Sequence, residues 1–153
     1  MANSYTQIVI HTVFVVKDRG CFITPEIRDD FHAYIAGILR SKRHYVYAVG
    51  GWLDHVHILF SLLPTETLSS VIGAVKASST NYMNHELRKG AGFSWQAGYS
   101  AFTCSYNHRL RTIAYIQNQE EHHKTKTFRQ EYAEWLADEG FEIDPRYGFD
   151  CFD

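Results

Sequence analysis

The sequence predicts an α+β fold, in which an antiparallel sheet of four to five strands carries helices on one face and an additional helix follows the last strand. Segments rich in β-branched and aromatic residues alternate with segments of helical periodicity, in the order β-α-β-β-α-β-α. The second and third strands are close in sequence, which favours an antiparallel hairpin. This order is the split βαβ pattern of the ferredoxin-like (RRM-like) sandwich, and we expect the second face of the sheet to be free.

The first half of the chain contains three predicted strands and one helix. Thr24 supplies an N-cap and Pro25 the first helical position, and apolar residues then recur at helical spacing as far as Arg40. Gly50 and Gly51 indicate a break or bulge between the second and third strands. The predicted strands span residues 5–16, 45–49 and 55–63.

The second half begins with a helix whose apolar positions fall on one stripe and which ends in the glycine-containing segment 89–92. Aromatic and small residues then predict the fourth strand, with Gly98 as a bend. We expect the aromatic side chains of the peripheral tail, residues 141–153, to dock onto the body. The predicted elements are a helix over 64–87, a strand over 93–104, a helix from 107 into 120–126, and a helix over 128–137.

Length and composition indicate one globular domain, residues 1–153. The chain has 153 residues, of which 45% are apolar, and a chain of this length can bury a sizeable core. No apolar run approaches the roughly 18 to 20 residues that a bilayer requires, and the first residues lack the basic region of a signal peptide. We therefore expect a soluble cytoplasmic protein without a membrane partner.

Net charge and cysteine content argue against a strongly basic domain, a disulfide-bonded domain and a zinc ribbon. The 15 Lys and Arg residues against 17 Asp and Glu residues give a net charge of −2, so any nucleic-acid binding must rest on local basic patches. The cysteines are Cys21, Cys104 and Cys151. Their odd number and the absence of a Cys-x-x-Cys spacing indicate neither a disulfide framework nor a zinc ribbon.

Two histidines on the third strand are the first candidates for chemistry. His55 and His57 are two residues apart and share a strand face, so their side chains leave the backbone roughly 6 to 7 Å apart. Val56, between them, points into the core. Such a pair suits an open divalent-metal site, because two ligands leave coordination positions for substrate. The alternative is a pair that merely alternates with core residues on a half-exposed strand. Leu59 stands where a His-x-His-x-His nucleotide hydrolase has its third histidine, which disfavours that class.

A tyrosine and a glutamine on a late helix are the second group. Tyr115 and Gln119 are four residues apart and share a helix face, and His122 and His123 follow near the same side. Amphipathic packing is the alternative role for Tyr115. Neighbouring isoleucines already supply apolar contacts, however, so packing alone does not require this side chain.

Together these segments resemble the small tyrosine transposases of the IS200/IS605 type, which belong to the HUH nuclease superfamily. The resemblance covers nearly the whole chain, and the joint match is more specific than either group alone. The segments that carry it are the first strand with His11, Asp54–Ser61, Lys76–Ser79, Trp95–Tyr99 and Tyr115–His123.

This resemblance implies a metal-dependent transposase that acts on single-stranded DNA. It implies that His55 and His57 hold Mg²⁺ or Mn²⁺, that Gln119 completes the metal site, and that Tyr115 is the nucleophile. The reaction then leaves a 5′-phosphotyrosine link and a free 3′-OH. Additional candidate ligands are His122, His123 and Glu120.

The resemblance also implies the partners. The substrate is single-stranded DNA with hairpins at the ends of a mobile element, and the location is the cytoplasm, in association with a prokaryotic nucleoid. Coordinated cleavage of two ends implies a homodimer, in which the tyrosine helix of one subunit docks on the histidine pair of the other. The basic residues that are candidates for binding DNA phosphates are Arg40, Lys42, Arg43, Lys76, Arg88, Lys89, Arg109 and Arg111.

A non-catalytic or domesticated relative that binds DNA hairpins on the same fold is the alternative. Domesticated transposases associated with repeated extragenic palindromes usually carry an Asn-Pro-containing stretch after the tyrosine. Asn118 and Gln119 stand here without a proline. The sequence therefore favours the mobile-element type.

Overall fold

The computed structural model describes residues 4–153 and contains a four-stranded sheet of order β2-β3-β1-β4. All neighbouring strands are antiparallel, and the central pair aligns Val13 with His57. The strands are β1 (Val9–Val15), β2 (Tyr45–Gly51), β3 (His55–Ser61) and β4 (Ser100–Thr103). The predicted α+β class and the antiparallel sheet of four strands are confirmed.

The helices follow the predicted order. They are α1 (Pro25–Ser41), α2 (Leu68–Tyr82), α3 (Arg109–Gln117), α4 (Gln119–His122) and α5 (Phe128–Asp138). The Thr67 side chain caps α2 by accepting a hydrogen bond from the Ser70 amide, and α2 continues into a π-helical turn over Met83–Leu87. None of the helices within residues 4–153 is long and apolar enough to cross a bilayer.

One face of the sheet carries the main core. Phe14 of β1 and Phe60 of β3 pack with Phe31 and Leu39 of α1 and with Val75 of α2, and all five side chains are fully buried. Alternation along the strands places these residues on one face and the odd-numbered residues of β1 and β3 on the other. The helices α1 and α2 therefore form the layer that the sequence predicted.

The second face of the sheet is covered, so the prediction that it would be free is wrong. Ile116 of α3 packs on Val9 and Leu59, and Phe128 of α5 packs on Val13. Every residue of β1 is buried as a result. The physical reason is that both faces of β1 and β3 carry apolar or histidine side chains, which need a cover.

The fourth strand is shorter than predicted. It begins at Ser100, whereas Phe93 and Trp95 are buried in the core, and Trp95 makes an isolated bridge with Val16. Gly98 has a φ of 84°, a left-handed conformation that turns the chain before β4. The regular strand thus starts two residues after the predicted bend at Gly98.

Gly50 and Gly51 lie within β2 instead of forming the predicted break. The register irregularity falls between Val46 and Ala48. A Cβ atom built on Gly50 would overlap the carbonyl oxygen of Ile116 in α3. The glycine therefore allows α3 to lie directly on the backbone of β2.

The C-terminal tail contacts the body through aromatic side chains. Phe149 and Phe152 pack against the main core, and the rings of Phe22 and Phe152 lie 5.6 Å apart. The Asp153 carboxylate accepts a 2.8 Å hydrogen bond from the Phe128 amide at the start of α5. The tail thereby helps to hold α5 on the second face.

Candidate metal centre and active site

The two histidines of β3 point to the second face and are enclosed there. His55 is 0% exposed and His57 is 1% exposed, and their ring centroids lie 5.1 Å apart. The shared face follows from the two-residue spacing on a strand. The half-exposed strand of the alternative interpretation is therefore not observed.

His55 is oriented by the residue before it. Its Nδ1 lies 2.7 Å from the Asp54 carboxylate, which can only accept, so Nδ1 carries a proton. Its Nε2 lies 2.9 Å from the amide oxygen of Gln119. Burial opposes the charged ring, but the hydrogen bond and charge of Asp54 outweigh it and raise the pKa of His55. Nε2 and the Gln119 oxygen can therefore share either a proton or a metal ion.

His57 links β1 to α5. Its Nδ1 lies 2.9 Å from Nε2 of His11, and its Nε2 lies 2.5 Å from Glu131 Oε1. Burial lowers the pKa of His57, and burial together with His57 lowers the pKa of His11 to about 3. At neutral pH His11 is therefore an uncharged partner that orients His57.

Glu131 of α5 is the site residue that sequence reasoning missed. It is 3% exposed, and it forms two groups of potential metal ligands, one with His55 and His57 and the other with His122 and His123. Burial favours the neutral acid, but the neighbouring imidazoles of His123, His57 and His55 outweigh it and hold the pKa of Glu131 well below its usual range. A signal for this residue existed, because Glu131 lies on the stripe of α5 that also carries buried aromatic residues.

The additional candidate ligands separate into two sets. His122 and His123 direct their Nε2 atoms at Glu131 Oε2, at 3.0 and 2.8 Å, and His123 Nε2 also lies 3.0 Å from the Gln119 oxygen. Glu120 is exposed and lies outside both ligand groups. Glu120 therefore lies apart from the clustered side chains, whereas Glu131 places a carboxylate among them.

Tyr115 lies beside the imidazoles, on α3. Its ring centroid is 5.7 Å from that of His57 and 5.2 Å from that of His122. Burial and the charge of Glu131 raise the pKa of Tyr115. The expected single helix is interrupted at Asn118, but Gln119 remains close, with its side-chain nitrogen 3.4 Å from the Tyr115 carbonyl oxygen.

A cleft of about 620 Å³ opens beside Tyr115 and reaches His122 and Glu131. Arg111 and Lys126 line it, and so does Glu134, which pairs with Lys126 at 2.5 Å. Further acidic side chains of the cleft are Asp138 and Glu139. The space can admit an extended chain, but the α5 wall is acidic.

Two of the predicted DNA-binding cations stabilise loops of the body. Lys76 donates to the carbonyl oxygens of Gln96, at 2.8 Å, and Gly98, and burial lowers its pKa. Arg88 donates to the Phe22 carbonyl at 2.8 Å. Both side chains therefore donate hydrogen bonds to the backbone of their own chain.

The other predicted cations have different surroundings. Lys42 pairs with Glu66 at 3.6 Å, and the Arg109 guanidinium lies 3.4 Å from the centre of the Tyr106 ring. Arg111 lines the cleft beside Tyr115. Arg111 is exposed, and so are Arg40, Arg43 and Lys89. Of this set, Arg111 has the position best suited to a phosphate near Tyr115.

The donor set fits a divalent metal ion. Imidazole nitrogens with a carboxylate and an amide oxygen are ligands of Mn²⁺ and related cations. Two buried atoms of the group, His122 Nε2 and Glu131 Oε2, have no hydrogen-bond partner within residues 4–153. Such unsatisfied atoms are costly unless another species binds them, which is the condition that a metal ion meets.

Comparisons with known proteins agree in fold and sequence. The sequence profile of the family described as "Transposase IS200 like" matches residues 4–119. The ISDra2 transposase TnpA of Deinococcus radiodurans is 25% identical over 120 residues, which cover 75% of this chain and 86% of that protein.

Two solved structures are also similar. A crystal structure of a candidate transposase from Deinococcus radiodurans R1 has a TM-score of 0.59 and 22% identity, and the match covers 78% of this chain and 96% of that one. A REP-associated tyrosine transposase bound to a REP hairpin has a TM-score of 0.58 and 16% identity, and the match covers 100% of this chain and 93% of that one. At these identities the likeness concerns the fold.

Proposed function

The chain belongs to the family of IS200-like transposases, and from that premise we propose that it cleaves and rejoins single-stranded DNA at the ends of a mobile element. Tyr115 is the nucleophile in this proposal, and His55, His57 and Gln119 hold Mg²⁺ or Mn²⁺. The observation that carries the proposal is the position of Tyr115, whose ring lines the cleft and lies 5.7 Å from the ring of His57.

The proposed chemistry is a transesterification. A divalent cation, when bound, polarises the scissile phosphate and screens its charge. The Tyr115 hydroxyl attacks phosphorus, so that a tyrosyl O–P bond forms while the P–O3′ bond breaks. The phenol loses its proton and the leaving 3′ oxygen gains one. Because one phosphate ester replaces another, a 3′-OH can reverse the step without ATP.

The hydrogen-bond partners of the histidine pair hold its imidazoles in a fixed orientation in the absence of DNA. Asp54 and His11 orient His55 and His57 through the second ring nitrogen of each imidazole. The burial and negative charge that raise the pKa of Tyr115 keep its hydroxyl protonated at neutral pH. Loss of the phenol proton is therefore a step that the site must assist.

A covalent adduct tests the proposal. Purified protein is incubated with Mn²⁺ and labelled single strands from the DNA that flanks its gene, and a denaturing gel is searched for a protein-linked product. We expect an adduct on one single strand and none on duplex DNA, in EDTA or with Tyr115→Phe. Tyr106→Phe is the matched control, since Tyr106 is exposed and precedes α3.

Two results would overturn the nucleophile assignment. An adduct that persists in Tyr115→Phe would place the covalent link on another residue. Loss of DNA binding together with the adduct in Tyr115→Phe would make Tyr115 a binding or packing residue.

A homodimer belongs to this proposal, because coordinated cleavage of two ends requires two sites. Here Tyr115 lies beside His57 of its own chain, so the dimer proposed here does not depend on exchange of the tyrosine helix. Light scattering of the protein with and without DNA hairpins tests it. A strictly monomeric protein that still joins two ends would contradict the dimer.

The second candidate function is non-catalytic binding of DNA hairpins. It is favoured by one observation, that the REP-associated transposase matched over 100% of this chain is bound to a REP hairpin. Specific binding to hairpins from the flanking DNA, without an adduct under any metal condition, would favour this candidate over the enzyme.

A further inference from the structure

We propose that His122, His123 and Glu131 form a second divalent-cation site, which shares the Glu131 carboxylate with the site of His55 and His57. All three ligands follow residue 119, where the match to the transposase family ends. The inference therefore concerns residues beyond the matched segment. It builds on the proposed metal site, and the experiment below separates the two.

The Glu131 carboxylate faces a different histidine pair with each oxygen. Oε1 lies 2.5 Å from His57 Nε2 and 4.0 Å from His55 Nε2, whereas Oε2 lies 3.0 Å from His122 Nε2 and 2.8 Å from His123 Nε2. A carboxylate placed in this way can bridge two cations, which in two-metal sites lie roughly 3.5 to 4 Å apart. Glu131 is thus positioned as a shared ligand.

Proton positions explain why hydrogen bonds cannot satisfy the second group when His123 is neutral. His123 Nδ1 lies 2.9 Å from the Lys126 carbonyl oxygen, which can only accept, so the ring proton is on Nδ1. His123 Nε2 then presents a lone pair to Glu131 Oε2 at 2.8 Å. Nε2 also faces the Gln119 amide oxygen at 3.0 Å. A neutral His123 can therefore donate to neither oxygen, whereas a cation at this point would be bound by both Nε2 and Oε2.

A second observation points to the same place. His122 Nε2 and Glu131 Oε2 are buried and lack hydrogen-bond partners among the residues that the structure describes, although they lie 3.0 Å apart. Glu131 is 3% exposed, so bulk water has little access to its oxygens. Unsatisfied atoms of this kind are rare in native proteins.

The donor set predicts the class of cation. Two imidazoles with one carboxylate are typical ligands of Mn²⁺, Fe²⁺ or Zn²⁺, whereas Mg²⁺ prefers oxygen ligands and bound water. The His122 ring lies 5.2 Å from that of Tyr115. A cation at this site would offset the negative charge of Glu131 next to the phenol, so we assign the second site to the nucleophile and the first to the phosphate.

Metal stoichiometry without DNA tests the proposal. Mn²⁺ is titrated into metal-free protein, and bound and free ion are measured by equilibrium dialysis and electron paramagnetic resonance. We expect two ions per chain with a magnetically coupled spectrum. The double variant His122→Ala/His123→Ala should bind one ion and lose the coupling, while His85→Ala, which changes an exposed histidine outside both groups, should bind two.

The outcomes distinguish the two sites. One ion per chain in the unmodified protein, retained in His122→Ala/His123→Ala and lost in His55→Ala/His57→Ala, would overturn the second site and leave the first intact. Two ions that persist in His122→Ala/His123→Ala would place the second ion elsewhere and also overturn it. Absence of binding would overturn both sites. A stoichiometry of one ion per chain in the unmodified protein overturns the two-site arrangement even if a variant does not fold.

Discussion

Three of the four imidazoles in the two ligand groups have a partner on the nitrogen that faces away from those groups. Asp54 holds His55, His11 holds His57, and the Lys126 carbonyl holds His123. Such partners fix the tautomer and the ring orientation of a metal ligand, and their loss commonly reduces metal affinity by roughly 10- to 100-fold. The site is therefore organised before any ion binds.

Asp54→Asn tests this organisation. The amide cannot supply the negative charge that raises the pKa of His55, and it can present its NH₂ group to the ring in place of an acceptor. We expect Mn²⁺ affinity, measured by isothermal titration calorimetry, to fall by about 10- to 100-fold. Asp29→Asn on the exposed face of α1 is the control. Equal affinities of the two variants would show that Asp54 does not orient His55.

Because the pKa of His32 is lowered in the folded protein, we expect the stability of the protein to depend on pH. Burial and the charge of Arg28 lower the pKa of His32 from 6.5 to about 4. Between pH 4 and pH 6.5, roughly the folded-state and unfolded-state pKa values of His32, the unfolded chain binds more protons than the folded chain. The free energy of unfolding therefore decreases as the pH falls through this range. The full effect is about 3 kcal/mol, reached below the folded-state pKa.

The measurement is urea unfolding between pH 7 and pH 4 in EDTA, so that no metal contributes. We expect His32→Gln to flatten the loss of stability in this window, because glutamine does not titrate. His85→Gln, an exposed histidine in the π-helical turn, should behave as the unmodified protein. A His32→Gln profile parallel to that of the unmodified protein would contradict the expectation.

At the level of elements, the position of α3 depends on a missing side chain. Gly50 lets the Ile116 backbone approach β2, and Ile116 itself is buried against Leu59. Tyr115 precedes Ile116 in α3, so the position at which α3 packs on β2 also sets the distance between the Tyr115 phenol and His57. Close backbone approach is a common reason for glycine in a strand.

Gly50→Ala should displace α3. The added Cβ would overlap the Ile116 carbonyl oxygen, and overpacking of this kind costs about 1 to 3 kcal/mol. We expect a lower melting temperature and at least a roughly tenfold slower formation of the DNA adduct, since small displacements of a reacting group are costly.

Gly73→Ala is the matched control for this substitution. No atom lies within 4 Å of a Cβ built on Gly73 in α2. Alanine in a helix interior stabilises the folded state by roughly 0.5 to 1 kcal/mol relative to glycine. We expect this variant to be more stable and to form the adduct at the normal rate. If Gly50→Ala matched it in both respects, α3 would not depend on the glycine.

At the scale of the whole molecule, charge works against a polyanionic substrate. The net charge is −2, and Glu134 on the α5 side of the cleft already neutralises Lys126. Phosphate contacts by free cations supply most of the affinity of non-specific DNA binding. Under the proposed function, the acidic wall of the cleft limits the affinity for DNA next to Tyr115.

Glu134→Gln should release Lys126 for a phosphate. We expect tighter binding of single-stranded DNA by several-fold, and a plot of log affinity against log salt that is steeper by about 0.7. Fluorescence anisotropy over a range of salt concentrations measures both. Glu121→Gln is the control, because Glu121 pairs with Lys124 on the exposed surface, and neither residue lines the cleft. The same increase in both variants would indicate a general charge effect.

Features that depend on local spacing can be predicted from the sequence alone. The two-residue period of a strand placed His55 and His57 on one face, and helical spacing with Thr24 and Pro25 marked the start of α1. These properties arise within a few bonds of the residues concerned, so the sheet, its helices and the histidine pair could be predicted.

The residues that cover the histidine pair and those that join it are visible only in the folded chain. His57 and Glu131 are 74 residues apart in sequence and meet because α5 folds back onto the second face. The run of buried residues in β1 and the carboxylate on the apolar stripe of α5 were signals of this cover, but neither names its partner. The partner follows from burial of surfaces distant in sequence, a property of the packed chain and not of any segment.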